Sequence, residues 1–205
     1  MSSIGPSRSK INLYIWGSSH ATELHHLPQS FEELGVDSRF SDPVWNARSG
    51  GIINQSTINE IMRVMTRDSR RLEKQVHVLF LGSNNLRNEN TDWTPQEVHD
   101  FFEMVVIHAR GLFNVHIVIC GILPSPEKND QSIDRFQPAS SLLKDLSTRY
   151  RPLTSYVNIP DYFNAFGEIK WYLYNGGQIH LTELGAERLA EIFKNHLKFH
   201  PEKDF

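Results

Sequence analysis

The chain has 205 residues, 39% of them hydrophobic, enough to bury one sizeable core, so one domain is the default. Its 21 basic and 24 acidic residues leave a formal charge of −3, which gives no global pull toward nucleic acid or anionic membrane. One cysteine excludes an intrachain disulfide, no run of about 18 apolar residues marks a membrane span, and the N-terminus lacks the apolar core of a secretory signal.

Residues 1–10 are rich in Ser, Gly and Pro and read as a disordered lead-in, leaving 11–200 as a single domain. Ile11–Trp16 is an apolar strand that empties into Gly17-Ser18-Ser19-His20 as a helix begins. Val36–Phe40 is a weaker strand. Val76–Leu81 and Val115–Gly121 are continuous apolar runs, as expected of strands covered on both faces, and Tyr156–Ile159 is a further weak strand. Between and after them lie helix-length segments: His20–Leu34, Asn54–Lys74, Pro95–Leu112, Ser132–Arg149 and Thr182–Leu197. Thr94, Pro95 and Glu97 have the form of a capping box with proline at the first helical position. Alternating β and α segments imply an α/β fold, a parallel sheet of about five strands with helices on both faces. Ligands in such sheets bind at the carboxyl ends of the strands.

The loops at those ends carry small and polar residues. Ser19 follows the first strand and Asn46–Gly51 the second. Gly82-Ser83-Asn84-Asn85 follows the third, and His180 stands just before the last helix. A serine at a helix start and an imidazole before a helix are a candidate nucleophile and base. The unpaired N–H of Ser19, the N–H of Gly51 and the side chain of Asn84 are candidate donors to an oxyanion. Together they fit acyl transfer.

In order and over Ile11–Leu197, these loops resemble the four blocks of the SGNH hydrolases, the GDSL-like esterases and lipases. Ser19 stands at the nucleophile, Gly51 at the glycine of the second block, Asn84 at the asparagine and His180 at the base. The resemblance implies a three-layer, flavodoxin-like fold. Val78–Asn85 and Val118–Pro124 look especially like the platelet-activating-factor acetylhydrolase branch, which implies short, acetyl-type esters, of lipids among others. The sequence departs from the family twice. Ser18 replaces the aspartate of Gly-Asp-Ser, and Gly177 stands where an aspartate precedes the histidine by three residues. The resemblance therefore implies a Ser19–His180 dyad, with a main-chain carbonyl of Gly177 or Gln178 orienting the imidazole and no carboxylate in contact with it. Of the nearest acids in the sequence, Glu168 falls in a variable loop and Glu183 inside the last helix, so both are poorly placed for that contact.

No metal or cofactor is expected. His20, His25 and His26 read as a solvated helix face and Cys120, inside an apolar run, as a core filler that suits a reducing, cytoplasmic setting. Trp171–Tyr174 is a candidate acyl-pocket or lipid-contact segment. Arg63, Arg67, Arg70, Arg71 and Lys74 form either a solvated face or a phosphate-contact patch, so RNA is a weak, salt-sensitive partner at most. The expected function is a serine esterase acting on a small ester or lipid. The alternative is a non-catalytic module like that of the insect germ-plasm protein Oskar, which resembles an SGNH hydrolase and binds RNA. A signal-less unit with one cysteine also resembles the esterase domain in the first open reading frame of some LINE-type retrotransposons, with oligomerisation supplied by parts outside this chain.

Overall fold

The computed structural model describes residues 10–26, 39–47, 51–87, 93–124, 133–165, 168–175 and 180–199. In chain order they form β1 (Asn12–Gly17), α1 (Ser19–His25), β2 (Val44–Ala47), α2 (Gln55–Arg70), β3 (Gln75–Phe80), α3 (Ser83–Arg87) and α4 (Pro95–Arg110). Then follow β4 (Val115–Cys120), α5 (Ile133–Arg149), β5 (Thr154–Val157), α6 (Ile159–Phe163), the short β6 (Asn164–Ala165) and β7 (Glu168–Ile169), a 3-10 turn (Trp171–Leu173) and α7 (Glu183–Phe199).

Strands β1 to β5 make one parallel sheet in the order β2-β1-β3-β4-β5, the expected α/β architecture. Period-two alternation divides each central strand between two cores. Leu13, Ile15, Val78 and Val118 face one core with Leu24 of α1 and Leu189 and Phe193 of α7. Trp16, Leu79, Ile117 and Ile119 face the other with Met65 of α2, Phe101 and Phe102 of α4 and Leu143 of α5. All six residues of β3 and of β4 are buried, which is why Val76–Phe80 and Val115–Cys120 are apolar but for His77 and His116. The Thr94 capping box forms as expected, with Thr94 Oγ1 accepting from the Glu97 N–H at 3.2 Å.

The second strand corrects the sequence reading. It is Val44–Ala47, whereas only Arg39 and Phe40 of the expected end of Val36–Phe40 are described, and Phe40 makes an isolated bridge to Ile11. An edge strand is paired on one side, and this one is half-exposed throughout, so it needs no apolar run. Among the described residues α1 ends at His25, and α2 stops at Arg70 rather than Lys74, because Leu72 takes a left-handed φ of 58°. Residues 1–9 of the expected lead-in lie outside the described residues.

Within the second core, His77 is fully buried, its ring 4.8 Å from that of Tyr14 and 6.1 Å from that of Trp16. Trp16 Nε1 donates to His77 Nδ1 at 3.0 Å, so the ring hydrogen sits on Nε2 and is donated to Gln75 Oε1 at 2.7 Å. Both nitrogens are satisfied by the neutral form, and burial pushes the pKa of His77 down to about 3. The unfolded chain, with a histidine near about 6.5, binds this proton more readily than the folded one. Stability from His77 is therefore complete above about pH 6.5 and is lost as pH falls toward 3, with a slope of up to about 1.4 kcal/mol per pH unit. Melting temperatures from pH 7 to pH 4 should fall, and His77→Gln, less stable at pH 7, should show a slope shallower by one proton. An unchanged slope in His77→Gln would refute this.

Candidate active site

The sheet register brings three of the four chemical loops together. At the carboxyl end of β1, Gly17 pairs with Ala47 at the end of β2 on one side and with Phe80 at the end of β3 on the other. Chain direction in the sheet order reverses at β1, the position where open α/β sheets bind ligands. Ser19 therefore leaves the sheet between the loop carrying Gly51 and the loop carrying Asn84. A Cβ on Gly17 would sit 2.2 Å from Ala21 Cβ, so the glycine is what lets α1 start this close to the strand.

Ser18, not Ser19, occupies the cap position of α1, and its side chain makes no capping bond. Ser19 is the first helical residue and is 6% exposed; among the described residues its hydroxyl makes no hydrogen bond, to His180 or to any other group.

Asn84 is half-buried and Nδ2 donates to the Gly51 carbonyl at 3.1 Å, so these two expected oxyanion residues lie side by side. One amide hydrogen of Asn84 remains. Asn85 is wholly buried, and Ile53 uses both ends of its amide: Ile53 N–H donates to Oδ1 at 2.7 Å, and Nδ2 donates to the Ile53 carbonyl at 2.9 Å. Asn85 is structural.

His180 is held on its C-terminal side by α7 and on its N-terminal side by a clasp. The N–H of Asn175 donates to the His180 carbonyl at 2.9 Å, Asn175 Nδ2 to the Leu181 carbonyl at 2.7 Å, and the Thr182 N–H to the Leu173 carbonyl at 2.9 Å. Close packing fixes α7 against the same segment, because a Cβ on Gly185 would lie 2.1 Å from the Leu173 carbonyl oxygen.

What orients the imidazole differs from the sequence expectation. His180 Nδ1 lies 2.6 Å from Glu23 Oε1, and the Leu181 N–H donates to Glu23 Oε2 at 3.2 Å. A carboxylate of the expected-absent kind is in contact after all, and it is neither Glu168 nor Glu183. Gly177 and Gln178, the expected carbonyls, lie outside the described residues. An ionised carboxylate only accepts, so the ring hydrogen is on Nδ1 and Nε2 is left as the basic nitrogen. Glu23 follows Ser19 by four residues on α1, and helical neighbours four apart share one face with Cβ atoms about 5–6 Å apart. The tie to Glu23 therefore draws His180 to the face of α1 that carries Ser19. That spacing was visible in the sequence, but nothing local announces that a loop 157 residues away will land on it.

Other expected residues separate from this rim or join it only at the edge. His20 is buried against Phe80, at 6.0 Å between rings, which corrects the solvated-face reading; His25 and His26 are exposed. Cys120 is buried, and burial raises its thiol pKa. Of the aromatic segment, Leu173 and Tyr174 are core, while Trp171 and Tyr172 are exposed beside the clasp. A second Ser–His contact exists: Ser155 Oγ lies 2.9 Å from Nε2 of both His116 and His196. His196 is 13 residues along α7 from Glu183, or about 20 Å at 1.5 Å per residue, so this pair sits far from the loops at the strand ends.

No family model and no curated protein matches the sequence. Solved structures do. A GDSL-like lipase from Bacteroides thetaiotaomicron superposes with a TM-score of 0.70 at 11% identity, over 91% of this chain and 87% of that one. The chain has the fold of the GDSL-like acylhydrolases. A lipase/acylhydrolase from Enterococcus faecalis matches with a TM-score of 0.67 at 8% identity over 92% and 95% of the two chains. An acetyl xylan esterase matches at 0.66 and 14% over 91% and 99%. Among the described residues no helix is long and apolar enough to cross a membrane.

Proposed function

We propose that this chain is an SGNH-type serine esterase whose triad is Ser19, His180 and Glu23. The observation that carries the reading is the 2.6 Å contact between His180 Nδ1 and a carboxylate one helical turn from Ser19. Ser19 Oγ attacks the ester carbonyl while His180 Nε2 takes its proton, and His180 returns that proton to the departing alcohol. Water then attacks the acyl-serine with the same base. Glu23 fixes the tautomer and balances the imidazolium charge. In unliganded sites the nucleophile–base bond is often long, and it tightens with substrate bound.

The tetrahedral oxyanion is held by the N–H groups of Ser19 and Gly51 and by the second amide hydrogen of Asn84. Asn84→Ala should lower kcat by about 10²-fold with KM nearly unchanged, because the donor acts on charge that appears only in the transition state. A change confined to KM would make Asn84 a substrate-positioning residue.

Short acyl groups, acetyl above all, are the proposed substrates, with lipids among their carriers. Support comes from the resemblance to the acetylhydrolase branch and from the exposed Trp171 and Tyr172 beside His180. A p-nitrophenyl ester series from C2 to C12, together with labelling by a fluorophosphonate, tests the reading. Fastest turnover is expected at C2–C4, with the phosphonate on Ser19 by peptide mass mapping. No hydrolysis of any ester and no label on Ser19 would sink it and favour the non-catalytic binding module.

A further inference from the structure

The described residues also form a groove of about 620 Å³ between α2 and α4, lined by Arg63, Thr66, Arg67, Arg70, Arg71 and His108. His108 Nε2 lies 2.9 Å from Thr66 Oγ1 and closes one wall. The groove is at the other end of the fold from Ser19. Arg70 and Arg71 end α2 just before Gln75 opens β3, and Gln75 is tied through its N–H to Asn114, next to the first residue of β4.

Its charge is unevenly spent. Arg63 is paired with Glu60 at 2.6 Å. Arg67 is built into the core polar network, with Nε on Asp68 Oδ1 at 2.7 Å and Nη2 donating to the Tyr14 hydroxyl at 3.0 Å. Arg70 and Arg71 are exposed and enter no ion pair among the described residues. Beside them the turn that ends α2 is stapled to the turn that ends α4. The Phe113 N–H donates to Ser69 Oγ at 3.0 Å, and Asn114 Nδ2 donates to the Leu72 carbonyl at 3.3 Å. This leaves Phe113 74% exposed and Leu72 71% exposed next to the two arginines. An unpartnered aromatic ring beside unspent guanidinium groups, in a chain whose net charge is −3, is a local feature with a use.

We infer that this groove binds single-stranded nucleic acid, the phosphodiester backbone lying along the arginines and a base stacking on Phe113. The eight residue steps from Arg63 to Arg71 span about 12 Å along the helix axis, a row of cationic heads rather than a single anion pocket. Guanidinium groups recognise phosphate through paired N–H donors, and an aromatic face accepts any base, so binding is sequence-tolerant. The carboxylates of an acidic protein segment would match the charge but leave the exposed ring without a planar partner.

Anisotropy of a fluorescein-labelled 20-nucleotide poly(U) strand with the whole chain tests the inference. With three to four phosphates contacted, log affinity should fall against log salt with a slope of about −2 to −3. Arg70→Glu with Arg71→Glu should weaken binding at least tenfold and flatten that slope, while Phe113→Ala should weaken it about tenfold with the slope retained. The neutral single variants Arg70→Gln and Arg71→Gln, each expected to bind more weakly, cover the case in which double reversal unsettles the helix. Arg67 is unsuitable, because its loss would disturb Asp68 and Tyr14. Turnover of p-nitrophenyl acetate should not change in any of these variants, which separates this inference from the fate of the esterase reading. No binding at 50 mM salt, unchanged binding in the charge variants, or equal competition by polyglutamate with no effect of Phe113→Ala would each overturn it, the last in favour of an acidic protein partner.

Discussion

Ser19→Ala is expected to reduce ester turnover to background, a loss of about 10⁶ in kcat, as is typical when a catalytic serine is removed. The fold should be untouched. The Ser19 hydroxyl makes no hydrogen bond among the described residues, so it carries no structural load, and the helix start rests on backbone bonds from Ala21 and Thr22 to the Ser18 carbonyl. Far-ultraviolet circular dichroism and melting temperature should therefore match those of the wild type while activity disappears. His180→Ala should fall to a similar level, because serine and base act as one unit and their effects do not add. Retained activity in Ser19→Ala would move the nucleophile, and Ser155, flanked by His116 and His196, is the residue to mutate next. Ser155 is 7% exposed within β5, so the expected result of Ser155→Ala is a loss of stability with turnover per folded molecule preserved.

The fold was legible because its strongest signals were local. Val76–Leu81 and Val115–Cys120 are apolar but for one histidine each, which in an α/β chain marks central strands, and Thr94 with Glu97 announces α4 by chemistry confined to four residues. The edge of the sheet carried no such mark. Val44–Ala47 pairs only with β1 and stays half-exposed, and with four residues including Asn46 it carries neither the length nor the alternation that marks a strand in the sequence. The short elements α3 and α6 were missed for a related reason. Each is five residues long and is set by tertiary packing around buried Leu86 or Phe163 rather than by periodicity.

The candidate site divides along the same line. Ser19, Gly51, Asn84 and His180 each stand at a strand end or before a helix, and topology alone brings such positions to one rim. Which of two neighbouring asparagines faces that rim required side-chain geometry: Asn84 Nδ2 reaches the Gly51 carbonyl, whereas Asn85 is buried with Oδ1 and Nδ2 both bonded to Ile53. Glu23 was invisible for a different reason. The resemblance implies an acid three residues before His180, where Gly177 stands. The carboxylate that reaches the imidazole comes from the helix that carries Ser19, across 157 residues of chain.

That relocation gives the sharpest kinetic expectation. Glu23→Gln preserves the size of the side chain but leaves it one acceptor oxygen where the carboxylate has two. The Leu181 N–H and the His180 Nδ1–H both now find an oxygen on Glu23, and the amide can serve only one of them in this way. If its oxygen stays with the Leu181 N–H, its NH₂ faces Nδ1 and selects the tautomer protonated at Nε2, which cannot take the proton of Ser19. The imidazolium also loses its counter-charge. A fall in kcat of about 10⁴ is expected, with KM nearly unchanged, since the substrate does not touch Glu23. Glu23→Asp should recover part of the loss, because the charge remains while the reach shortens by one methylene. A dyad steered by a main-chain carbonyl at Gly177 or Gln178 would behave otherwise, holding the tautomer without help and keeping the loss from Glu23→Gln below about tenfold. The two outcomes differ by three orders of magnitude, well beyond any change in the amount of folded protein, so the kinetic assay separates a relocated triad from a structural tie between α1 and the His180 loop.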